Sequence, residues 1–144
     1  MNREQLQKLT ELRVKEATIL YENKCFDGAY YLLGYAVECA LKSCIAKKVQ
    51  QYDFPDKKLA NESYTHDLKT LLKIAELKEE LDNLNDSIIK MNWSMIINSA
   101  EEDGLAWSET VRYIQGIDSK QAEDFFYAVT DQNKGILQWL QKYW

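Results

Sequence analysis

The sequence predicts an all-α protein folded as a helical bundle, and three observations lead to that prediction. The chain has one proline and five glycines in 144 residues, so residues that favour turns are scarce. Apolar residues recur at three- and four-residue steps in every long segment, and no alternating strand pattern competes with this helical period. Hydrophobic residues make up 46% and charged residues 28%, which is typical of a folded chain rather than a disordered one.

Length and charge limit the classes of protein further. A chain of 144 residues predicts one domain spanning residues 1–144. No apolar run reaches the roughly 18 to 20 residues that cross a bilayer, and the polar first residues lack a signal-peptide core, so we expect a cytoplasmic protein with no membrane contact. The net charge of −5 argues against a strong general nucleic-acid binder.

Charge is unevenly distributed along the chain. Residues 40–78 carry a net +3, and residues 79–131 carry a net −9. An acidic half suits a basic partner or a solvated surface, and we favour the solvated surface. Cys25, Cys39 and Cys44 form no Cys-x-x-Cys pair and have a single histidine to help them, so we expect packed, reduced thiols, with no metal site and no cofactor.

The first two helices are predicted to form an antiparallel hairpin, because only a short break at residues 23–25 separates residues 3–23 from residues 26–50. The inner face of the first helix comprises Leu6, Leu9, Leu12 or Arg13, Ala17 and Leu20. The second helix has the most continuous apolar face and should be the most buried. It also contains Gly34 in its interior, which costs about 1 kcal/mol relative to alanine, so we expect another group to pack closely against it.

The second half of the chain predicts three further helical segments. A polar loop over residues 51–63 contains Pro55, and Thr65 is the predicted N-cap of a helix over residues 66–75. A helix over residues 79–98 follows, with Leu81, Leu84, Ile88, Met91 and Met95 as its apolar stripe. After an acidic break at residues 99–104 and a short turn or helix at residues 107–113, Asp118 or Ser119 caps the long final helix, with Gln121 in the capping-box position to Asp118.

Polar residues that stand out from this pattern are few. The chain lacks a Gly-rich phosphate loop, a Gly-x-Ser-x-Gly turn and a His-Glu-x-x-His pair. His66 is the only histidine, and a lone histidine early in a helix is more often a capping or packing residue than a catalytic one. Arg112 can neutralise the acidic residues 101–103, stack on Trp107 or bind an anionic ligand. Glu38 and Lys42 form an i,i+4 pair that apolar residues surround.

Three motifs in order resemble the HEPN domain family (higher eukaryotes and prokaryotes nucleotide-binding). They are the Gly-Tyr-Ala-Val-Glu-Cys-Ala-Leu-Lys string at residues 34–42, His-Asp-Leu at residues 66–68, and the segment from Trp107 to Arg112 and Tyr113. The resemblance extends over roughly residues 5–142. It implies an up-and-down bundle of four to five helices that often dimerises. Family members include RNase toxins, partners of minimal nucleotidyltransferases in toxin–antitoxin pairs, and nucleotide-associated modules of defence proteins.

One departure from the family pattern concerns catalysis. RNase members carry an Arg followed, after four to six residues, by a His. Here Arg112 is followed at the corresponding positions by Ile117, Asp118 and Ser119. Without an imidazole there, no general base is evident for the ribose 2′-hydroxyl, so we expect no metal-independent RNA cleavage by that mechanism.

The sequence therefore favours a non-catalytic HEPN-type module that binds nucleotide, RNA or a nucleic-acid-related protein, such as a nucleotidyltransferase-type partner. The expected site is a cleft between the second helix and the last helices. The alternatives are an RNase in which His66 meets Arg112 across the fold or across a dimer, and a structural dimerisation or adaptor module anchored by the aromatic tail at residues 139–144. We expect Lys42 and Arg112 to supply positive charge to a phosphate, and Tyr35 and Tyr113 to stack on a base. Glu38 or His66 should orient them.

A homodimer is also expected, because the bundle has more large apolar side chains than one stripe per helix can bury. The second and last helices supply this surplus, in Tyr30, Tyr31, Leu32, Leu33, Tyr35, Phe125, Phe126, Trp139, Tyr143 and Trp144.

Overall fold

A computed structural model of the chain describes residues 1–51, 57–98 and 106–144, and these residues contain helices and no strand. The all-α class is therefore confirmed. None of these helices is long and apolar enough to cross a membrane. The α-helices are α1 (Arg3–Glu22), α2 (Phe26–Gln51), α3 (Lys57–Glu62), α4 (Leu68–Ile74), α5 (Lys78–Asp82), α6 (Ser87–Ile97), α7 (Ser119–Thr130) and α8 (Ile136–Leu140), and a 3₁₀ helix (Glu109–Tyr113) lies between α6 and α7.

Helix α2 is the centre of the molecule. It contacts α1, α4, α7, α8 and the 3₁₀ helix, and it supplies more of the buried core than any other described helix. Helix α1 packs beside it after a three-residue break, in which Lys24 adopts the left-handed conformation with φ of 61°. The predicted hairpin and the predicted burial of the second helix are both confirmed.

The inner face of α1 is narrower than the sequence predicts. Leu6, Thr10 and Ala17 are its buried residues, whereas Leu12 is 45% exposed. Arg13 is half-buried and forms an ion pair with Glu16, so the arginine rather than the leucine turns toward α2. A basic side chain thereby reaches the edge of the core.

The N-terminus of α4 differs from the prediction. Asp67, not Thr65, is the N-cap, because its carboxylate accepts hydrogen bonds from the backbone N–H groups of Lys69 at 2.9 Å and Thr70 at 3.2 Å. The hydroxyl oxygen of Thr65 instead accepts from the N–H of Asp67 at 3.1 Å. As a consequence, His66 precedes the helix and is not part of its first turn.

Two predicted long helices are interrupted. Residues 79–98 divide into α5 and α6, and α6 has its own N-cap, Asp86. The predicted apolar stripe is confirmed at Leu81 and Leu84, which lie in or against the core. It is wrong within α6, because the break changes the helical phase: Ile88, Met91 and Met95 are exposed while other side chains of α6 face the core. The final helix divides into α7 and α8, and the predicted capping box at its start, Asp118 with Gln121, is confirmed. Helix α3 is additional, within the segment predicted as a loop.

The aromatic side chains that were expected to form an exposed patch pack inside the chain. Tyr30 stacks on Phe125 with ring centroids 4.0 Å apart, and both are buried. Trp139 is 2% exposed and meets Tyr143 edge to face at 5.4 Å. Leu33 is fully buried, and the remaining members of the surplus, including Trp144, are half-buried against the core. The premise of the dimer prediction is therefore wrong, and the tail does not present an exposed aromatic anchor.

The cysteines divide by burial. Cys25 is exposed, and Cys39 and Cys44 are buried. Burial raises the pKa of Cys39 to about 11 and that of Cys44 to about 12, so both are thiols at neutral pH. Pro55 and the acidic residues 101–103 lie outside the residues that the structure describes.

Candidate ligand-binding site

The site is built on Glu38, a buried carboxylate in the middle of α2. Its side chain is only 3% exposed, and the residues around it on the helix are apolar. One oxygen, Oε1, accepts a hydrogen bond from Lys42 Nζ at 2.8 Å, one turn further along the helix. Both carboxylate oxygens lie 3.0 Å from Nδ1 of His66. A buried carboxylate thus holds one lysine and the histidine of the chain together.

The contact with Glu38 determines how His66 presents its ring. An ionised carboxylate only accepts hydrogen bonds, so Nδ1 must carry the proton and donate it. The opposite nitrogen, Nε2, is then an acceptor in the neutral ring and a donor in the cationic ring. The His66 side chain is 50% exposed, and Glu38 is its only hydrogen-bond partner among the described residues. Nε2 is therefore available to a ligand.

His66 borders a cavity of about 400 Å³. The cavity lies between the start of α4, the end of α6 and the segment that leads into the 3₁₀ helix, and we refer to it as the His66 cavity. Its lining residues are Thr65, His66, Asp67, Leu68, Lys69, Ile97, Trp107, Ser108 and Glu109. Helices α7 and α8 do not contribute to this cavity, so it differs from the cleft with the last helices that the sequence predicts.

Trp107 forms one wall of the cavity and is fixed by α2. Its Nε1–H donates to the carbonyl oxygen of Tyr31 at 3.0 Å, and its ring stacks against that of Tyr31. The indole lies directly over Gly34: a Cβ placed on that glycine would be 2.0 Å from Trp107 Nε1. The close approach predicted from the mid-helix glycine is confirmed, and its partner is Trp107.

Tyr35 lies on the same face of α2 as Glu38 and Lys42 but does not line the cavity. It is half-buried, and the guanidinium carbon of Arg13 is 5.9 Å from its ring centroid. Burial raises the pKa of Tyr35, and the neighbouring Cys39 and Glu38 raise it further. Tyr35 is therefore a neutral phenol beside the site, not a stacking platform within it.

Arg112 and Tyr113 form a separate pair on the 3₁₀ helix. The Arg112 guanidinium carbon is 4.8 Å from the ring centroid of Tyr113, so the arginine stacks there rather than on Trp107. Tyr113 and then Tyr31 hold the pKa of Arg112 above its usual value. In the described part of the chain, no hydrogen bond or ion pair joins Arg112 to His66. The contacts within one chain therefore do not provide the direct pairing of Arg112 with His66 that the RNase alternative needs.

Sequence reasoning missed most of the cavity wall. Lys69, Ser108 and Glu109 carry no pattern that distinguishes them from surface residues, and only the fold brings them beside His66. The available signal was Gly34, because an interior glycine indicates that a bulky side chain crosses the helix at that point. Lys42, expected to contact phosphate, is already neutralised by Glu38.

No family model, curated protein or solved structure matches this chain. The resemblance to the HEPN family therefore depends on the residues of the three sequence motifs. The helical class agrees with it, but many unrelated functions share helical bundles, and function has to be argued from the site.

Proposed function

We propose that this chain is a non-catalytic HEPN-type module that binds a nucleotide or single-stranded RNA in the His66 cavity. One observation carries the proposal: the buried carboxylate of Glu38 holds His66 at the edge of the cavity with Nε2 available. Burying an ion costs several kcal/mol, and well-packed apolar residues are often as stable as a buried ion pair. An orienting role for Glu38 gives a reason for this cost.

Two basic groups of the cavity, on His66 and Lys69, suit a sugar-phosphate. The two carboxylates of the lining are Asp67, bonded as the N-cap of α4, and Glu109. His66 offers Nε2 to a hydroxyl when neutral and to a phosphate oxygen when charged. Lys69 offers an ammonium group to the phosphate. Lys42 does not, because it is already paired with Glu38. The cavity volume of about 400 Å³ falls within the range of small-molecule sites.

Tyr113 is the proposed stacking residue. Its side chain is 75% exposed, and Arg112 covers one face of the ring while the other faces solvent. The five-residue 3₁₀ helix that carries it begins at Glu109 in the cavity wall, and at about 2 Å per residue this helix is only about 10 Å long. A short oligonucleotide is long enough to contact both His66 and Tyr113.

Binding of a fluorescently labelled six-nucleotide single-stranded RNA, followed by anisotropy, tests the proposal. We expect His66→Ala to abolish binding and Tyr113→Ala to weaken it by roughly 5- to 150-fold, corresponding to about 1–3 kcal/mol for one stacked base. Tyr127→Ala is the matched control, because Tyr127 is a 48% exposed tyrosine on α7. Equal effects of the two tyrosine substitutions, or wild-type binding by His66→Ala, would contradict the proposal.

One observation favours the RNase alternative. A histidine whose Nδ1 is fixed by a carboxylate is oriented as a general base. This alternative requires Arg112 to reach His66 from a second copy of the chain, since the two residues make no contact within one copy. Cleavage of single-stranded RNA in EDTA, lost in both Arg112→Ala and His66→Ala, would support it.

A homodimer is proposed through a different surface from the one the sequence indicated. Ile88, Met91 and Met95 are 43%, 67% and 45% exposed and lie on one face of α6, at spacings suited to helix–helix packing. An isologous contact covers this stripe in both copies. A nucleotidyltransferase-type partner is implied by the family resemblance alone.

A further inference from the structure

A second depression lies where α4, α5 and α6 meet, and we call it the lysine groove. Its volume is about 480 Å³. Four lysines line it: Lys69 and Lys73 from α4, Lys78 from α5 and Lys90 from α6. Lys69 also lines the His66 cavity, so the two depressions are neighbours.

The positive charge of the lysine groove is largely unneutralised. Asp82 is the one carboxylate among its lining residues, and it pairs with Lys78 at 3.0 Å. Lys69, Lys73 and Lys90 make no ion pair with any residue that the structure describes. The lining therefore has a net charge of +3 in a protein whose overall charge is −5. Such a concentration of one sign attracts anions to the groove.

The floor of the groove is apolar and closed. Leu72 and Leu81 are 1% and 3% exposed, and Trp93 is 6% exposed. Lysine stems pack along such a surface while their ammonium groups reach its edge. A low-dielectric floor strengthens the attraction between these ammonium groups and an anion. Because Trp93 is buried, no lining aromatic ring is open to stack on a base, and recognition here depends on charge.

We propose that the lysine groove binds a linear oligophosphate of about two to four linked phosphates, either free or attached to a nucleoside. Four lysines contributed by three helices suit a chain of phosphates, which presents several anionic groups in a row, better than a single phosphate. A long polyanion is disfavoured because the protein as a whole is acidic. The volume is that of a small-molecule site. This site goes beyond the proposed function and does not require His66.

Isothermal titration of the full chain with inorganic tripolyphosphate at low salt tests the proposal, with orthophosphate and ATP as separate arms. Removing one ammonium group near an exposed anion should weaken binding about fivefold. We therefore expect Lys69→Gln/Lys73→Gln to bind tripolyphosphate about 20-fold more weakly than wild type. Lys15→Gln/Lys142→Gln removes the same charge from exposed residues outside the groove and should change affinity less than about twofold.

Asp82→Asn makes the test independent of misfolding, because it should tighten tripolyphosphate binding by releasing Lys78. Equal affinity for ATP and tripolyphosphate indicates that the phosphate chain alone is recognised, and tighter ATP binding adds a nucleoside contact. His66→Ala should leave tripolyphosphate binding unchanged, which separates this site from the proposed RNA site. Three outcomes would each overturn the proposal: equal weakening by both lysine pairs, no gain in Asp82→Asn, or binding of orthophosphate as tight as that of tripolyphosphate.

Discussion

Substituting Gly34 by alanine should destabilise the protein strongly, although the same change in most helices is favourable. The added Cβ would be 2.0 Å from Nε1 and 2.1 Å from Cδ1 of Trp107, distances that no pair of unbonded heavy atoms can occupy. The overlap involves a rigid ring that is 5% exposed and hydrogen-bonded to the Tyr31 carbonyl. Either Trp107 or the backbone of α2 must move.

The two possible responses bracket the cost. A shift that keeps Trp107 inside costs about 1–3 kcal/mol, the usual penalty for overpacking. Expelling the indole exposes about 150–250 Å², worth about 4–6 kcal/mol, and breaks a hydrogen bond worth about 1 kcal/mol. The higher helix propensity of alanine offsets about 1 kcal/mol of this destabilisation. A Cβ only 2.0 Å from a rigid ring takes the upper end of the overpacking penalty, so the free energy of unfolding should fall by about 2–6 kcal/mol.

Urea denaturation followed by far-UV circular dichroism measures this loss. Gly28→Ala is the matched control on α2, because its new Cβ would meet only the flexible end of Leu20 at 3.1 Å, and we expect a change within about 1 kcal/mol. In a Trp107→Ala background the penalty at Gly34 should disappear, which gives a coupling energy of at least about 2 kcal/mol. A Gly34→Ala variant as stable as wild type would refute the packing described for Trp107.

The cysteines, RNA cleavage and the exposed face of α6 can each be tested separately. In the native state a thiol reagent at neutral pH should modify Cys25 alone, and all three cysteines should react after denaturation. Mass spectrometry counts the modified thiols. Rapid modification of more than one thiol in the native state would contradict the burial of Cys39 and Cys44. Purified protein should not cleave single-stranded RNA in EDTA above a buffer control, and cleavage that both Arg112→Ala and His66→Ala abolish would restore the RNase hypothesis. Light scattering at micromolar concentration should give twice the monomer mass of 16.9 kDa for wild type and 16.9 kDa for Met91→Glu, whereas a monomeric wild type would exclude the α6 interface.

Local sequence signals predicted much of the fold. The scarcity of turn residues and the apolar period predicted the helical class and the hairpin of α1 and α2. The capping box of Asp118 and Gln121 was predictable because it depends only on residues three apart. The N-cap of α4 could not be predicted in this way, because Thr65 and Asp67 are both good capping residues. Which of the two caps the helix depends on where His66 contacts Glu38.

Long-range packing was much harder to predict. The apolar stripe of α6 was assigned to the wrong face because a break before Asp86 changes the helical phase, and no periodicity argument registers such a break. The aromatic surplus was misjudged because Tyr30 and Phe125 stack on each other inside one chain. Of the candidate site, the sequence predicted the pairing of Glu38 with Lys42, which the structure confirms, but the contact of His66 with Glu38 depends on how α4 packs against α2.

The most direct test of the account observes the His66 ring itself. Because the chain has one histidine, its imidazole nitrogen resonances in a ¹⁵N-labelled sample belong to His66 without ambiguity. A six-nucleotide single-stranded RNA should shift the Nε2 resonance in a saturable way, while Nδ1 remains protonated through its contact with Glu38. Glu38→Leu removes the acceptor that holds the proton on Nδ1, so it should abolish this protonation pattern and weaken binding. RNA binding that leaves both ring nitrogens unchanged would contradict the placement of the ligand in the His66 cavity.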